Sequence, residues 1–143
     1  MISHARFGKL RLGQFRPDAK IAELDNWEFM DHVWVGEAVG FSEWLWLEDK
    51  PDTLRSLAID FSEFPEQAAA EVLRTIDLPV RAGMTVEELR ELWGEPAKEL
   101  RFVRVKDRVT YQFVLPGPPR YDVSCTVLNE GGLTYLVVMA PLP

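Results

Sequence analysis

Two periodicities divide the chain. Between Met84 and Pro96 the apolar residues Val86, Leu89, Leu92 and Trp93 recur at helical spacing, which predicts an amphipathic helix with one face on an apolar surface. From Glu99 to Ala140 the pattern becomes alternation, cleanest where Tyr121, Val123, Cys125 and Val127 are separated by Asp122, Ser124 and Thr126. A period of two with one apolar side predicts strands buried on one face and wet on the other, hence an antiparallel sheet. The helix carries its own start and stop. Thr85 and Glu88 have capping-box spacing, Met84 and Leu89 are placed for a hydrophobic staple, and Gly94 followed by Pro96 ends the run. A helix of about two turns does not persist alone in water, so the sheet must shelter it.

Applied to the whole chain, the same reading predicts strands at about 99–106, 109–115, 121–128 and 133–140. Turns at Lys106-Asp107-Arg108, Pro116-Gly117-Pro118-Pro119 and Asn129-Glu130-Gly131-Gly132 leave no room for a crossover helix, so these four strands form a meander. Upstream, a helix runs from Pro65 to Ile76 with Ala69, Val72, Leu73 and Ile76 on one face, and Asp77-Leu78-Pro79 breaks it. Extended segments are expected at Trp27–Val39, Glu43–Glu48 and Leu54–Phe61, with turns at Gly40 and Asp49-Lys50-Pro51-Asp52. A short helix is expected within Gly13–Asn26, opened by Pro17, and a strand from Arg6 to Leu12. Gly13 and Gly83 each precede a short helix and then strands, a pattern compatible with tandem repeats over 6–64 and 78–140 joined by the helix at 65–76. The expected fold class is α+β: a single domain, 1–143, with short helices packed on one face of an antiparallel sheet.

Composition narrows the function. The 143 residues are 47% hydrophobic and 27% charged, ordinary for a globular chain. The start has no apolar leader segment and no run is long enough to span a membrane, so a cytoplasmic protein is expected. Cys125 is the sole cysteine, which excludes an intrachain disulfide, and its place in the alternation marks it as a buried small hydrophobe. The net charge of −7 is unevenly spread: residues 1–22 come to +4, residues 23–63 to −9 and the remainder to −2. Such a field repels nucleic acid and attracts a basic protein.

The acidic stretch also holds four of the five tryptophans, Trp27, Trp34, Trp44 and Trp46. Trp44 and Trp46 share one side of a strand while Glu43, Leu45 and Leu47 take the other. The cluster has two readings. In one the indoles fill the core against the 65–76 helix; in the other Trp27, Trp34, Glu43, Trp44, Trp46 and Glu48 form a binding surface for another protein or for a second copy. Chemistry is poorly represented. His4 and His32 are the only histidines, and although Asp25, Glu28 and Asp31 lie near His32, neighbours along a strand point to opposite faces and make no ligand set. Nucleophile elbows and phosphate-binding loops are absent. No catalytic residue, metal ligand or cofactor is expected.

Gly83-Met84-Thr85, then Glu88-Leu89-Arg90, then Trp93-Gly94-Glu95-Pro96 ahead of antiparallel strands resembles the block shared by the SmpA/OmlA outer-membrane lipoprotein family. The same unit recurs in the tandem modules of β-lactamase-inhibitor-protein-like folds. The resemblance covers about residues 78–140 and implies an α+β module that works through protein contacts; it supplies no catalytic residue, and the family's lipid-acceptor cysteine near the start has no counterpart here. The expected function is therefore non-catalytic protein binding through the acidic, tryptophan-rich sheet. A bacterial immunity protein neutralising a basic toxin is one alternative. A small-molecule binder or enzyme with a sheet–helix pocket holding His32 or Tyr111 is the other.

Overall fold

The alternating stretches pair as their pattern requires. The computed structural model describes residues 2–10, 22–29, 32–39, 42–47, 50–64 and 66–141. In chain order the elements are α1 (His4–Phe7), β1 (Ala22–Phe29), β2 (His32–Val39), β3 (Ser42–Leu47), β4 (Lys50–Asp60), α2 (Glu66–Thr75), α3 (Val86–Trp93), β5 (Lys98–Phe102), β6 (Val105–Leu115), β7 (Tyr121–Leu128) and β8 (Gly132–Met139). The strands form one eight-stranded sheet in the order β1-β2-β3-β4-β8-β7-β6-β5, with every neighbouring pair antiparallel. Each half of the chain is thus a four-strand meander, and the two meet through their last strands. The α+β class expected from the sequence holds.

Opposed residues in a sheet share a face, so the registers trace the core. Trp44 lies opposite Leu57, Leu57 opposite Val138, Val138 opposite Val123 and Val123 opposite Phe113. All five are buried in one cluster that also takes in the buried sides of the helices. α2 contributes Ala68, Ala69, Val72 and Leu73, with Ile76 just beyond its end. α3 contributes Leu89, while Val86 and Trp93 pack at the margin. The Trp93 ring meets Phe113 edge-on at 5.2 Å, and Phe7 of α1 meets Tyr121 at the same separation. Leu92 remains exposed, so the apolar stripe of α3 is narrower than its periodicity suggested.

The caps of α3 form as read. The Glu88 N–H donates to Thr85 Oγ1 at 3.2 Å and the Thr85 N–H donates to Glu88 Oε1 at 3.2 Å, so two donors at the helix start are satisfied together. Gly94 ends the helix at φ 77° and donates to the Arg90 carbonyl at 2.7 Å. The approach to α3 is part of the sheet. β4 leaves β8 after the Phe61 N–H bonds the Thr134 carbonyl at 2.9 Å; Gly83 and Met84 then continue the ladder, exchanging bonds of 2.9 and 2.8 Å with Leu133. A Cβ on Gly132, at φ 75°, would lie 2.2 Å from the Gly83 carbonyl oxygen, so only glycine fits.

Several local expectations are corrected. Residues expected to begin a strand at Arg6 instead lie in α1, fixed by tertiary contacts: the Ser3 N–H bonds the Ile76 carbonyl at 2.8 Å, the Leu54 N–H bonds the Gly8 carbonyl at 2.7 Å, and Arg6 pairs with Asp77. Of the helix expected within 13–26, residues 22–26 belong to β1, and the remainder falls outside the described residues. Trp27–Val39 is two strands, β1 and β2, paired as a hairpin. Lys50-Pro51-Asp52 lies within β4, in the part that has no β8 partner, where a proline removes no bond to β8. The turn placed at Lys106-Asp107-Arg108 is a bulge: β5 runs from Leu100 to Phe102 while β6 runs from Thr110 back to Val105, so the surplus residues are in β6. Asn129 holds them, donating to the Asp107 carbonyl from its N–H at 2.8 Å and to the Lys106 carbonyl from Nδ2 at 2.9 Å.

Candidate contact surface

Among the described residues, the helices cover one face of the sheet and leave the other. The register that buries Leu57, Val138, Val123 and Phe113 places Leu45, Ser56, Met139, Asp122 and Val114 in a row on the opposite side. Met139 and Val114 are exposed, Leu45 is half-buried, and Ser56 at the centre is buried by its neighbours. A parallel row runs through Thr126 and Thr110, whose hydroxyls bond each other at 2.9 Å. Among the described residues, the helix contacts with the sheet, Trp93 on Phe113, Phe7 on Tyr121 and Arg90 on Glu99, all fall on the other side.

The expected binding residues divide. Trp44 and Trp46 are 0% and 5% exposed and belong to the core, so they offer no surface to a partner in the monomer. The core reading applies to them, because their strand turns that side to the helix layer. Trp27 lies opposite Trp34 in the β1–β2 ladder and Trp34 opposite Leu47, while Glu43 pairs with Ala38. Glu48 lies outside the described residues.

The histidines are far apart in role. His4 Nδ1 is 2.5 Å from the Tyr121 hydroxyl, and the two rings meet edge-on. Burial pushes the Tyr121 hydroxyl up to about 12, with Arg55 pulling weakly the other way. His32 pairs with Phe29 at the β1–β2 turn. Burial likewise raises the Cys125 thiol to about 12, which leaves it protonated and unreactive at neutral pH. Glu88 is held below the usual carboxylate range, first by the Thr85 N–H and then by Arg81, whose Nη2 lies 3.1 Å away. Among the described residues no group of three or more His, Cys, Asp or Glu side chains is placed to hold a metal ion, and no helix is long and apolar enough to cross a membrane.

Two concavities stand out among the described residues. The larger, about 690 Å³, lies between α2 and the 77–82 connection, lined by Ala69, Ala70, Leu73, Leu78 and Val80 with Arg74 and Arg81 beside them. Phe61, which carries the β4–β8 ladder one residue further, also lines it. The smaller, about 440 Å³, lies where the start of α3 faces Tyr111, Val127 and the Asn129–Gly132 turn. Tyr111 therefore lies at a concavity.

One exposed feature escaped the sequence reading. β5 is exposed at all five positions and ends the sheet, and the hairpin it makes with β6 presents Leu100, Phe102, Val103 and Val105 to solvent. The signal was available: from Lys98 to Lys106 basic and apolar residues interleave, with basic residues at Arg101 and Arg104 between the apolar ones. Comparison with family models, curated proteins and solved structures finds no match to this chain.

Proposed function

We propose that the chain is a non-catalytic protein-binding module whose acidic half captures a partner carrying a basic surface. The observation behind this reading is segregation of charge along one sheet. Residues 22–60, which span β1–β4, hold ten carboxylates against Lys50 and Arg55, a balance of −8, whereas residues 98–139, which span β5–β8, come to +2. Such a field speeds encounter with a cationic protein and turns it toward one end before contact. The β1–β2 register supports the reading, since it sets Glu23 opposite Glu37.

With Trp44 and Trp46 committed to the core, the contact surface passes to the acidic β1 end of the sheet. A cytoplasmic immunity protein that neutralises a basic toxin is a narrower form of the same proposal, favoured by the same charge. The likeness of residues 78–140 to the SmpA/OmlA block also points to binding. The meeting of two meanders at β4 and β8 supports reading the chain as tandem modules of that kind.

The test is co-purification from native cells, identification of the partner, and affinity of the purified pair at low and high salt. Variants are Glu37→Lys in the acidic half and Lys106→Glu in the other. A basic partner whose binding falls with salt and with Glu37→Lys, and holds with Lys106→Glu, is the expected result. A partner bound independently of salt and of Glu37 removes the reading.

A further inference from the structure

The geometry points to a second copy of this chain as the occupant of the β5 edge, paired antiparallel about a two-fold axis through Leu100. β5 is the terminal strand, exposed throughout, and among the described residues no strand pairs with its outer side. The irregularity in the β5–β6 ladder lies in β6, so β5 keeps an unbroken edge. Natural sheets blunt such edges with bulges or inward charges because an unpaired backbone is a template for another strand. Here the edge also carries apolar side chains: Leu100, Phe102 and Val103 are 37%, 52% and 88% exposed.

The sequence of β5 is complementary to itself in this register. With Leu100 opposite Leu100, Glu99 falls opposite Arg101 on both sides of the axis and Lys98 falls opposite Phe102. The pairing gives two opposite-charge cross-strand pairs, an apolar pair at the centre, and two lysine stems lying along phenylalanine rings. One step outward, Val103 meets Ala97, which covers the most exposed apolar side chain of the hairpin. Glu99 is already oriented for this. Its two oxygens lie 3.2 Å from Arg90 Nη2 and 3.4 Å from Arg101 Nη2, so it is held on the helix side of the sheet beside the residue it would meet across the axis. The product is a closed dimer with one continuous sheet, its two acidic halves at opposite ends. This inference stands independently of the identity of any basic partner.

Sedimentation velocity of the full chain over a wide concentration range tests it. A monomer–dimer equilibrium is expected; a monomer at every concentration, or a mass that grows without limit, overturns the proposal. Glu99→Arg alone and Arg101→Glu alone each set like charges opposite and are expected to weaken the dimer about tenfold. An equimolar mixture of the two variants restores opposite charges in the mixed pair, and recovery of dimer in the mixture is expected. Thermal melts establish that each variant folds. Dimerisation of the separate variants at the native level, or no recovery on mixing, rules out the β5 register.

Discussion

The two meanders share one sheet and use it differently. In the β5–β8 half, alternation is cleanest in β7, which buries Tyr121, Val123, Cys125 and Val127 and leaves the residues between them partly or fully exposed, and the half is nearly neutral. In the β1–β4 half the aromatic content is higher, yet the same stretch carries most of the negative charge. The first half places Trp44 where the second places Phe113 or Val123, on the covered side. The comparison shows that aromatic density in a strand does not mark a contact surface. Large rings serve the core where their register faces the helices, as at Trp44, so the proposed capture of a partner rests on the acidic charge instead.

The largest test of this contrast is Trp44→Ala. Removing a fully buried ring from β3, opposite Leu57 on the covered side, is expected to cost about 3–5 kcal/mol, read by chemical denaturation. A variant that melts like the native chain while losing association would reverse the assignment of core and surface. Thr85→Ala acts on the second half, where the capping box fixes the entry of α3; a loss of about 1 kcal/mol is expected, and an unchanged melt would mean that α3 is held by the Leu89 side alone. Glu37→Lys acts on the first half with the opposite sign. Replacing an opposed like-charged pair by an attractive one is expected to raise stability by about 0.2–1 kcal/mol, although the same change weakens capture of a basic partner.

The smallest effect is absent at neutral pH. Cys125 and Tyr121, both on β7, titrate near 12 when folded against 9.0 and 10.0 for free groups. The unfolded chain therefore loses protons first as pH rises, so the stability these groups hold below about pH 9 falls away between 9 and 12. Cys125→Val should flatten that alkaline slope in denaturation curves. A slope unchanged by this substitution would place the alkaline sensitivity elsewhere, in the acidic half or in Tyr121.

How much of this was legible follows the physics of each signal. The capping box at Thr85 and Glu88, the end of α3 at Gly94 and the alternation of β7 are local patterns with local causes, and each is present in the structure. The N-terminal segment was misread because α1 is short and depends on Ile76, Leu54 and Asp77, residues distant in sequence. Lys106-Asp107-Arg108 has the polarity of a turn, and a bulge has the same polarity; only the pairing of Phe102 with Val105 distinguishes them. The burial of Trp44 could not be read from β3 alone, since both sides of that strand are apolar. The open β5 edge is not legible in the sequence because its exposure depends on strand order, which alternation does not encode.

Strand order also bears on how the molecule is made. β8 is the last of the eight strands to leave the ribosome and yet fills the middle of the sheet, flanked by β4 and β7. Until it inserts, the nascent chain holds an unpartnered β4 edge that includes Leu57 and Ile59 and a second meander with no neighbour. Completion requires contacts between residues far apart along the backbone, such as Ser56 with Met139, the kind of topology that folds slowly.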